Sequence, residues 1–593
     1  MKDHTLIFPV DSLLNTWILT WDYHVLGSRP LELFNANIFY PAKNTLALSE
    51  HMIGNLPIFA PLMFLTQNPI LAANGVVFAS FVLSGVAMFA LVRYWTGNFL
   101  ASFIAGFIYA FAPPRFGQLA HWQLLSVQWA PFALLFGEKF LRSRRLSDGL
   151  LALSFYGLQV LSSYYLGYAV TFVIGCYVMY RLIKDRSARS LEMLAKLTLL
   201  FAIAAVFIIP FSYPYVRLKK SGLLSHDPRL LTEASADPAS SFLSVPLYGA
   251  NVYQGLLRSF QSRYQPWEKW LFPGFLPVFL ALVPVSRSLR ERNRKEERNR
   301  LLRGGRWGRS TINAYLLIVL LSGVMSLGPF LVVNDKGTKI PLPYLFFFYL
   351  LPGFSSMRVP ARFALMVPIG VSVLAGFGVQ LLLEALRGKW ARSPHLKRFS
   401  GIGLSSLLLF ILTVEFHFTP IPMDPIEAGS AIPPVYRWLA HQPKDGAVLE
   451  VPWTIDTRRN QEPIWQTRYV YFSKALQLVQ GQPYNLLDVL IRARYVYFSV
   501  YHWHPLVNGY SGYNPPSYEE IVGHLHGFPS KEGINYLSTI GVRRVILHTD
   551  LLMPDEILRW QTPALAEMGL EKAAEFGADV VFHITAFKSE EGS

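Results

Sequence analysis

RSLRERNRKEERNRLLRGGRWGR, residues 287–309, carries nine Arg and one Lys against three Glu, and it joins the apolar runs 271–288 and 312–333. Short basic loops of this kind stay on the cytoplasmic side of a membrane. A hydrocarbon core of about 30 Å takes roughly 20 helical residues to cross. Ten runs of suitable character follow one another: 71–92, 96–113, 122–140, 149–163, 165–183, 194–214, 271–288, 312–333, 363–386 and 399–419. The second and fourth are short and fit tilted or re-entrant segments. Three more basic loops punctuate the series: Arg142, Arg144 and Arg145; Arg181, Lys184, Arg186, Arg189 and Lys196; Arg387, Lys389, Arg392, Lys397 and Arg398. Counted through ten spans, all four loops fall on one side, which assigns that side to the cytoplasm. Loops 114–121, 215–270 and 334–362 then lie outside, as do residues 1–70 and 420–593. Arg217, Lys219 and Lys220 also fall outside and break the rule.

The composition agrees. Of 593 residues, 52% are hydrophobic and 15% aromatic, and the mean hydropathy is +0.30. Charged residues make up 16%, against about 25% in soluble domains. The aromatic excess suits interfacial belts. The net charge of +16 sits in short loops between apolar runs, which argues against nucleic acid as a partner. Cys176, the single cysteine, lies in an apolar run, so no intramolecular disulfide forms.

The pattern predicts an α-helical polytopic protein of the inner or plasma membrane, with about ten transmembrane helices and a small extracytoplasmic C-terminal α/β domain. Residues 1–70 form an outer first loop with interfacial helices, 71–419 the transmembrane domain, and 420–593 the external domain. In that last part, strand-like segments at 446–452, 541–548 and 578–586 alternate with helical patterns at 432–441 and 552–568. The hexapeptide Arg-Tyr-Val-Tyr-Phe-Ser at 468–473 recurs at 494–499 and reads as a local duplication. No cleavable signal peptide is visible at Met1. The outer placement of residues 1–70 leads us to expect that an upstream helix is missing from the start, the alternative being an N-terminus translocated unaided.

With sides assigned, the sparse ionised residues outside become candidates for chemistry. The segment from Asp11 to Asp22 reads as an amphipathic helix at the outer interface. Its spacing puts Asp11, Asn15 and Asp22 on one face and Trp17 and Trp21 on another, suited to the headgroup layer. A carboxylate at the membrane surface can take a proton from an acceptor hydroxyl or amine. The plainer readings are a helix N-cap for Asp11 and a solvated face for Asp22. Asp22, Glu50 and His51 could position an acceptor or a divalent Mg or Mn ion; the plainer reading of Glu50 and His51 is an exposed loop pair. His121, at another outer helix end, is a supporting group or a belt residue.

Arg358 and Arg362 flank Pro360, which suits the first turn of the following helix. Backbone N–H groups and guanidinium forks together make an anion site there. Arg115, after Pro113 and Pro114, adds positive charge on the same side. A phosphate on a lipid carrier would balance these arginines; the rival is snorkelling to anionic headgroups. Glu268 either pairs with the arginines or touches substrate. Asn508, Tyr510 and Tyr513 lie in a turn-rich, aromatic loop that could contact a glycan or pack on the membrane domain.

Asp11 in an early outer loop, the Asn-x-Phe-Tyr-Pro run at 37–41, Glu50-His51, Arg358-x-Pro-Ala-Arg362-Phe and an external C-terminal domain, in that order, resemble bacterial membrane proteins of the C-fold glycosyltransferase superfamily (GT-C). The resemblance covers nearly the whole chain and rests on the order of motifs that are each weak alone. It implies transfer of a sugar from a polyprenyl-phosphate carrier, outside the membrane, to a glycan, lipid or protein acceptor. It implies that Asp11 is the catalytic acid of the first outer loop, with Glu50 a loose match to a second acidic motif and Arg358 and Arg362 holding the donor phosphate. The family's first transmembrane helix has no counterpart here. No Asp-x-Asp motif occurs, so no cofactor is required by the pattern. Two other functions fit the same features: a transporter or flippase of lipid-linked glycans, and a non-catalytic assembly protein with a glycan-binding external domain. The few charges within the apolar runs count against the transporter.

Overall fold

The computed structural model describes residues 2–6, 9–185, 189–223, 227–246, 251–262, 266–290, 306–351, 353–389, 394–421, 423–454 and 486–585. The fold is mostly helical (66%) with a small C-terminal sheet. The chain divides into two compact units: residues 53–55 with 76–422, and residues 1–52 and 56–75 with 423–593.

In the first unit, every apolar run of the sequence contains helix. Among the described residues six helices are long and apolar enough to cross a membrane: Pro69–Thr96, Phe99–Gly117, Tyr164–Lys184, Leu191–Lys220, Arg309–Ser326 and Pro360–Leu386. The remaining runs fold as shorter or less apolar helices. The run 122–140 is broken, because Pro131 suits only a first turn and the helix restarts at Ala130. The run 312–333 ends early. Its helix stops at Ser326, and Phe330–Val333 instead forms a hairpin with Lys336–Pro341 through Asn334 and Asp335, both at positive φ.

Val367–Lys389 is the central helix, buried among Phe275–Arg290, Phe99–Phe111 and Arg309–Ser326. Glycine permits this close approach: a Cβ on Gly378 would sit 2.0 Å from the Leu280 carbonyl oxygen. Leu191–Lys220 is the opposite case, with none of its apolar window buried, as a lipid-facing helix requires. Two of the basic loops converge on one acid. Glu138 is fully buried and bonded to Arg142, to Arg181 at 3.2 Å and to the Tyr177 hydroxyl at 2.7 Å.

The second unit is built on a four-stranded sheet in the order Ala447–Val451, Val542–His548, Asp579–Ile584, Leu570–Phe576. The first pair is parallel and the others antiparallel. The N-terminal segment is stitched to this sheet. Residues 505–508 lie along Ala447–Val451, with the Val448 N–H donating to the Pro505 carbonyl and the Val507 N–H to Val448. Residues 37–40 lie along 505–508 in turn, through Phe39 to Asn508, Tyr40 to Leu506 and Leu506 to Asn37. His4–Leu6 pairs antiparallel with Met423–Pro425.

The helix Pro9–Leu26 packs against Leu486–Phe498, with Val10 and Leu13 in one core with Leu487, Leu490 and Ile491. This corrects the expected use of its tryptophans. Trp17 and Trp21 are buried, and their indole N–H groups donate to the Asn37 side chain (3.2 Å) and the Leu33 carbonyl (2.8 Å). They fasten the loop that follows the helix instead of facing headgroups. The three expected strands and the helix expected at 432–441 are present within a few residues of their predicted limits; the helix expected at 552–568 is broken into the short turns Pro554–Ile557, Leu558–Trp560 and Ala564–Glu567. The first copy of the hexapeptide repeat lies outside the described residues; the second forms the end of Leu486–Phe498.

Candidate active site

Asp11 stands in the first turn of Pro9–Leu26 and is half-buried. The Tyr510 hydroxyl donates to its Oδ1 at 2.7 Å. Tyr510 is aimed by a clamp. Arg492, on Leu486–Phe498, donates from Nε (3.0 Å) and a terminal nitrogen (2.8 Å) to the Gly509 carbonyl, and from a terminal nitrogen to the Asn514 side chain (2.9 Å). Gly509 leaves room for Phe39, whose ring would lie 2.5 Å from a Cβ there. Asn508 is fully buried, and both ends of its amide bond the Glu450 backbone, at 2.7 and 2.8 Å. It braces the sheet, which corrects the expectation of a glycan contact at that residue. Tyr513 is half-buried in the same loop.

Further along the same helix, Asp22 is fully buried. Its Oδ2 accepts the Met52 N–H at 3.1 Å, and its Oδ1 has no partner among the described residues. Burial pushes its carboxyl up to about 8, only partly opposed by the Met52 hydrogen bond. The solvated face expected for Asp22 is therefore corrected. Asp22 anchors the turn Glu50-His51-Met52, in which Glu50 is half-buried and His51 fully buried, its ring edge-on to Phe34. One helix thus holds the Tyr510 loop at Asp11 and the Glu50 turn at Asp22.

In the other unit, Glu268 and Arg362 form a buried bidentate pair, with Nε to Oε2 at 3.0 Å and a second bond to Oε1. His121 Nε2 lies 3.9 Å from Glu268 Oε1. The Tyr165 ring covers the guanidinium at 5.1 Å, and its hydroxyl bonds the Val359 backbone. Burial alone would raise the Glu268 carboxyl. Arg362 first, then His121 and Arg358, outweigh it and hold the group below its ordinary value. Lys269, next in sequence, turns to Ser262 (3.1 Å) and Asp335 (3.3 Å).

These contacts reassign two arginines expected at a phosphate. Arg362 has its fork bonded to Glu268. Arg115 is buried, donating to the carbonyls of Ala110 (2.7 Å) and Leu125 (2.9 Å) and to Ser80 (3.2 Å), with Phe81 beneath it at 4.1 Å. Both hold the fold at helix breaks. Arg358 is exposed. Among the described residues no three His, Cys, Asp or Glu side chains gather to hold a metal ion.

Reading the sequence missed the Arg492 clamp and the pairing of Asp11 with Tyr510, which lie 499 positions apart in the chain. It also missed His548, which bonds Glu450 (2.9 Å) and Asp579 (2.8 Å) inside the sheet unit. A signal for that group was present: Glu450 is a lone acid in the apolar strand Ala-Val-Leu-Glu-Val, where a buried charge demands a partner.

The fold is similar to that of the arabinofuranosyltransferase AftD from Mycobacteria. The TM-score is 0.51 at 13% identity, covering 98% of this chain and 40% of AftD. Weaker similarity extends to the oligosaccharyltransferase AglB from Archaeoglobus fulgidus, solved with an inhibitory peptide and a dolichol-phosphate (TM-score 0.43, 11% identity, 91% of this chain and 65% of AglB). It also extends to ArnT from Cupriavidus metallidurans bound to undecaprenyl phosphate (TM-score 0.35, 12% identity, 98% of this chain and 95% of ArnT). No family model and no curated protein matches the sequence. The chain has the GT-C fold and is a multi-pass membrane protein, and it spans two-fifths of the length of AftD.

Proposed function

We propose that this chain is a membrane glycosyltransferase that moves a sugar from a polyprenyl-phosphate donor to an acceptor on the extracytoplasmic side. The four basic loops, read as cytoplasmic, support an outer position for residues 420–593. The observation that carries the reading is Asp11. It is a half-buried carboxylate fixed by Tyr510, on a helix that also holds the Glu50 turn, in a chain of GT-C fold.

The chemistry follows from that carboxylate. The acceptor oxygen attacks the anomeric carbon and forms the new C–O bond. The bond from that carbon to the carrier phosphate breaks, and the phosphate leaves with the electron pair. Asp11 takes the acceptor proton, a step worth about 10²–10⁴ in rate. Tyr510 orients the carboxylate by occupying one lone pair of Oδ1. A cation would stabilise the negative charge that develops on the leaving phosphate; of the arginines expected to hold a phosphate, Arg358 is exposed. The half-buried Glu50 positions the acceptor, while the fully buried His51 packs the turn that carries it.

The test uses membranes containing this chain and a panel of radiolabelled polyprenyl-phosphate sugars. Label leaving the carrier for an acceptor, only when the chain is present, is the expected result. Label that stays on the carrier overturns the reading. If carrier-bound label crosses sealed vesicles intact, the chain is a flippase.

A further inference from the structure

A second polar cluster in the sheet unit takes no part in the proton transfer. A cavity of about 190 Å³ lies beside the helix Leu486–Phe498 and the ends of two sheet strands, lined among others by Tyr436, Arg494, Tyr495, His548, Asp550 and Asp579. Its wall is a built network. The His548 ring bonds Asp579 through Nδ1 (2.8 Å) and Glu450 through Nε2 (2.9 Å), and the Tyr436 hydroxyl donates to the same Glu450 oxygen at 2.6 Å. The Tyr495 ring stacks on His548 at 5.2 Å, and Tyr436 stacks on Phe498 at 4.6 Å. Glu450 is fully buried, and its Oε1 has no partner among the described residues. Burial works against a charged His548, but the two carboxylates prevail and push it up to about 9.

A charged cluster of this kind is a poor way to gain stability alone, since well-packed apolar side chains of equal volume do as well or better. Its position on a cavity gives it another use, and the lining selects the ligand. Glu427, Asp550 and Asp579 face Arg494 and His548, and Glu427 is already paired with Arg494 at 2.8 Å. Three acids against two cations disfavour a phosphate. The guanidinium and imidazolium disfavour a cationic guest. What remains is a neutral molecule that presents hydroxyl donors and acceptors together with apolar C–H faces. Carboxylates accept its hydroxyls, the guanidinium donates to its oxygens, and the tyrosine and phenylalanine rings meet its C–H groups. The volume is below the roughly 300 Å³ at which drug-sized pockets begin, so it suits one ring and not a long chain.

We propose that this cavity binds a single neutral sugar ring, with Asp550 and Asp579 accepting its hydroxyls and Arg494 donating to its oxygens. Asp550 keeps its protein partners, since a carboxylate has lone pairs for both. That the ring belongs to the acceptor glycan rests on the glycosyltransferase reading; the binding itself does not.

The test is saturation-transfer NMR on the detergent-purified full chain. The probes are methyl glucopyranoside, methyl galactopyranoside, methyl mannopyranoside and methyl arabinofuranoside. At least one is expected to bind saturably, with affinity falling tenfold or more in Asp550→Ala and in Asp579→Asn. Asp550 is exposed, so its variant carries the test even if Asp579→Asn does not fold. No saturable binding by any probe overturns the proposal, as does binding that Asp550→Ala leaves unchanged. Preferential saturation by inorganic phosphate or methylammonium overturns it too. Chain-dependent sugar transfer without glycoside binding would sink this site alone and leave the enzyme reading standing.

Discussion

Asp22 and Glu268 are both buried carboxylates, one in each unit, and the surroundings drive them in opposite directions. Among the described residues Asp22 has one backbone N–H and no cation beside it, and burial raises it to about 8. Glu268 has a bidentate arginine and a nearby histidine, and these hold it below its ordinary value despite equal burial. Desolvation is common to both, so the counter-charge decides the outcome. The unit around Glu268 keeps a permanent ion pair. The unit around Asp22 keeps an acid that is neutral over most of the physiological range.

The largest expected effect breaks the Glu268 side of this contrast. Glu268→Leu takes the bidentate carboxylate from the buried Arg362, and should cost about 3–5 kcal/mol. Adding Arg362→Met should restore most of that loss, as measured by thermal unfolding in detergent. A double variant no more stable than the single one would mean that the pair does more than neutralise itself.

The next effect sharpens the Asp22 side. Its folded value lies above the ordinary 3.8, so ionisation costs stability. That cost is absent below 3.8, grows as pH rises from about 4 to about 8, and is constant beyond. The slope approaches about 1.4 kcal/mol per pH unit at most. Asp22→Asn keeps an acceptor for the Met52 N–H and should flatten the slope in that window. Glu268 has the reverse sign. Its contribution is present above its ordinary 4.5 and is lost as pH falls through its lower folded value. A pH titration of melting temperature for wild type and Asp22→Asn separates the two, because the Asp22 cost grows above 3.8 whereas the Glu268 contribution is lost only below 4.5.

The smallest effect concerns Asp11. Removing the hydroxyl in Tyr510→Phe takes one charge-assisted hydrogen bond from a half-buried carboxylate, worth about 1.5–3 kcal/mol at most. Unfolding should shift little, while the transfer rate should fall more than binding does, since the carboxylate loses its orientation. An equal change in both would make Tyr510 a packing residue.

Much of the membrane part was legible because its signal is local. Apolar length and basic loops can be read within each segment, and helix is found in all ten runs. The misreading at 327–333 has the same origin. Leu327, Phe330, Leu331, Val332 and Val333 are as apolar as a helix end, and the helix-breaking pair Gly328-Pro329 and the Asn334–Asp335 turn, which mark the hairpin, were passed over. The site was legible as residue types and not as partnerships. Asp11, Asp22, Glu50 and Glu268 stood out as rare acids, but nothing local could announce that Tyr510 reaches Asp11 or that Glu268 claims Arg362. Tryptophan was the misleading signal. Trp17 and Trp21 look the same whether a helix lies on lipid or on protein, and what distinguishes the cases is Asn37 and the Leu33 carbonyl arriving from a loop.

The central claim is that the Asp11 carboxylate takes the acceptor proton. It is tested most directly by single-turnover transfer from a labelled polyprenyl-phosphate sugar, in membranes matched for protein level, with wild type and Asp11→Asn. We predict a fall of at least a hundredfold in the rate of transfer, with donor binding retained. Transfer at the wild-type rate in Asp11→Asn would contradict the account.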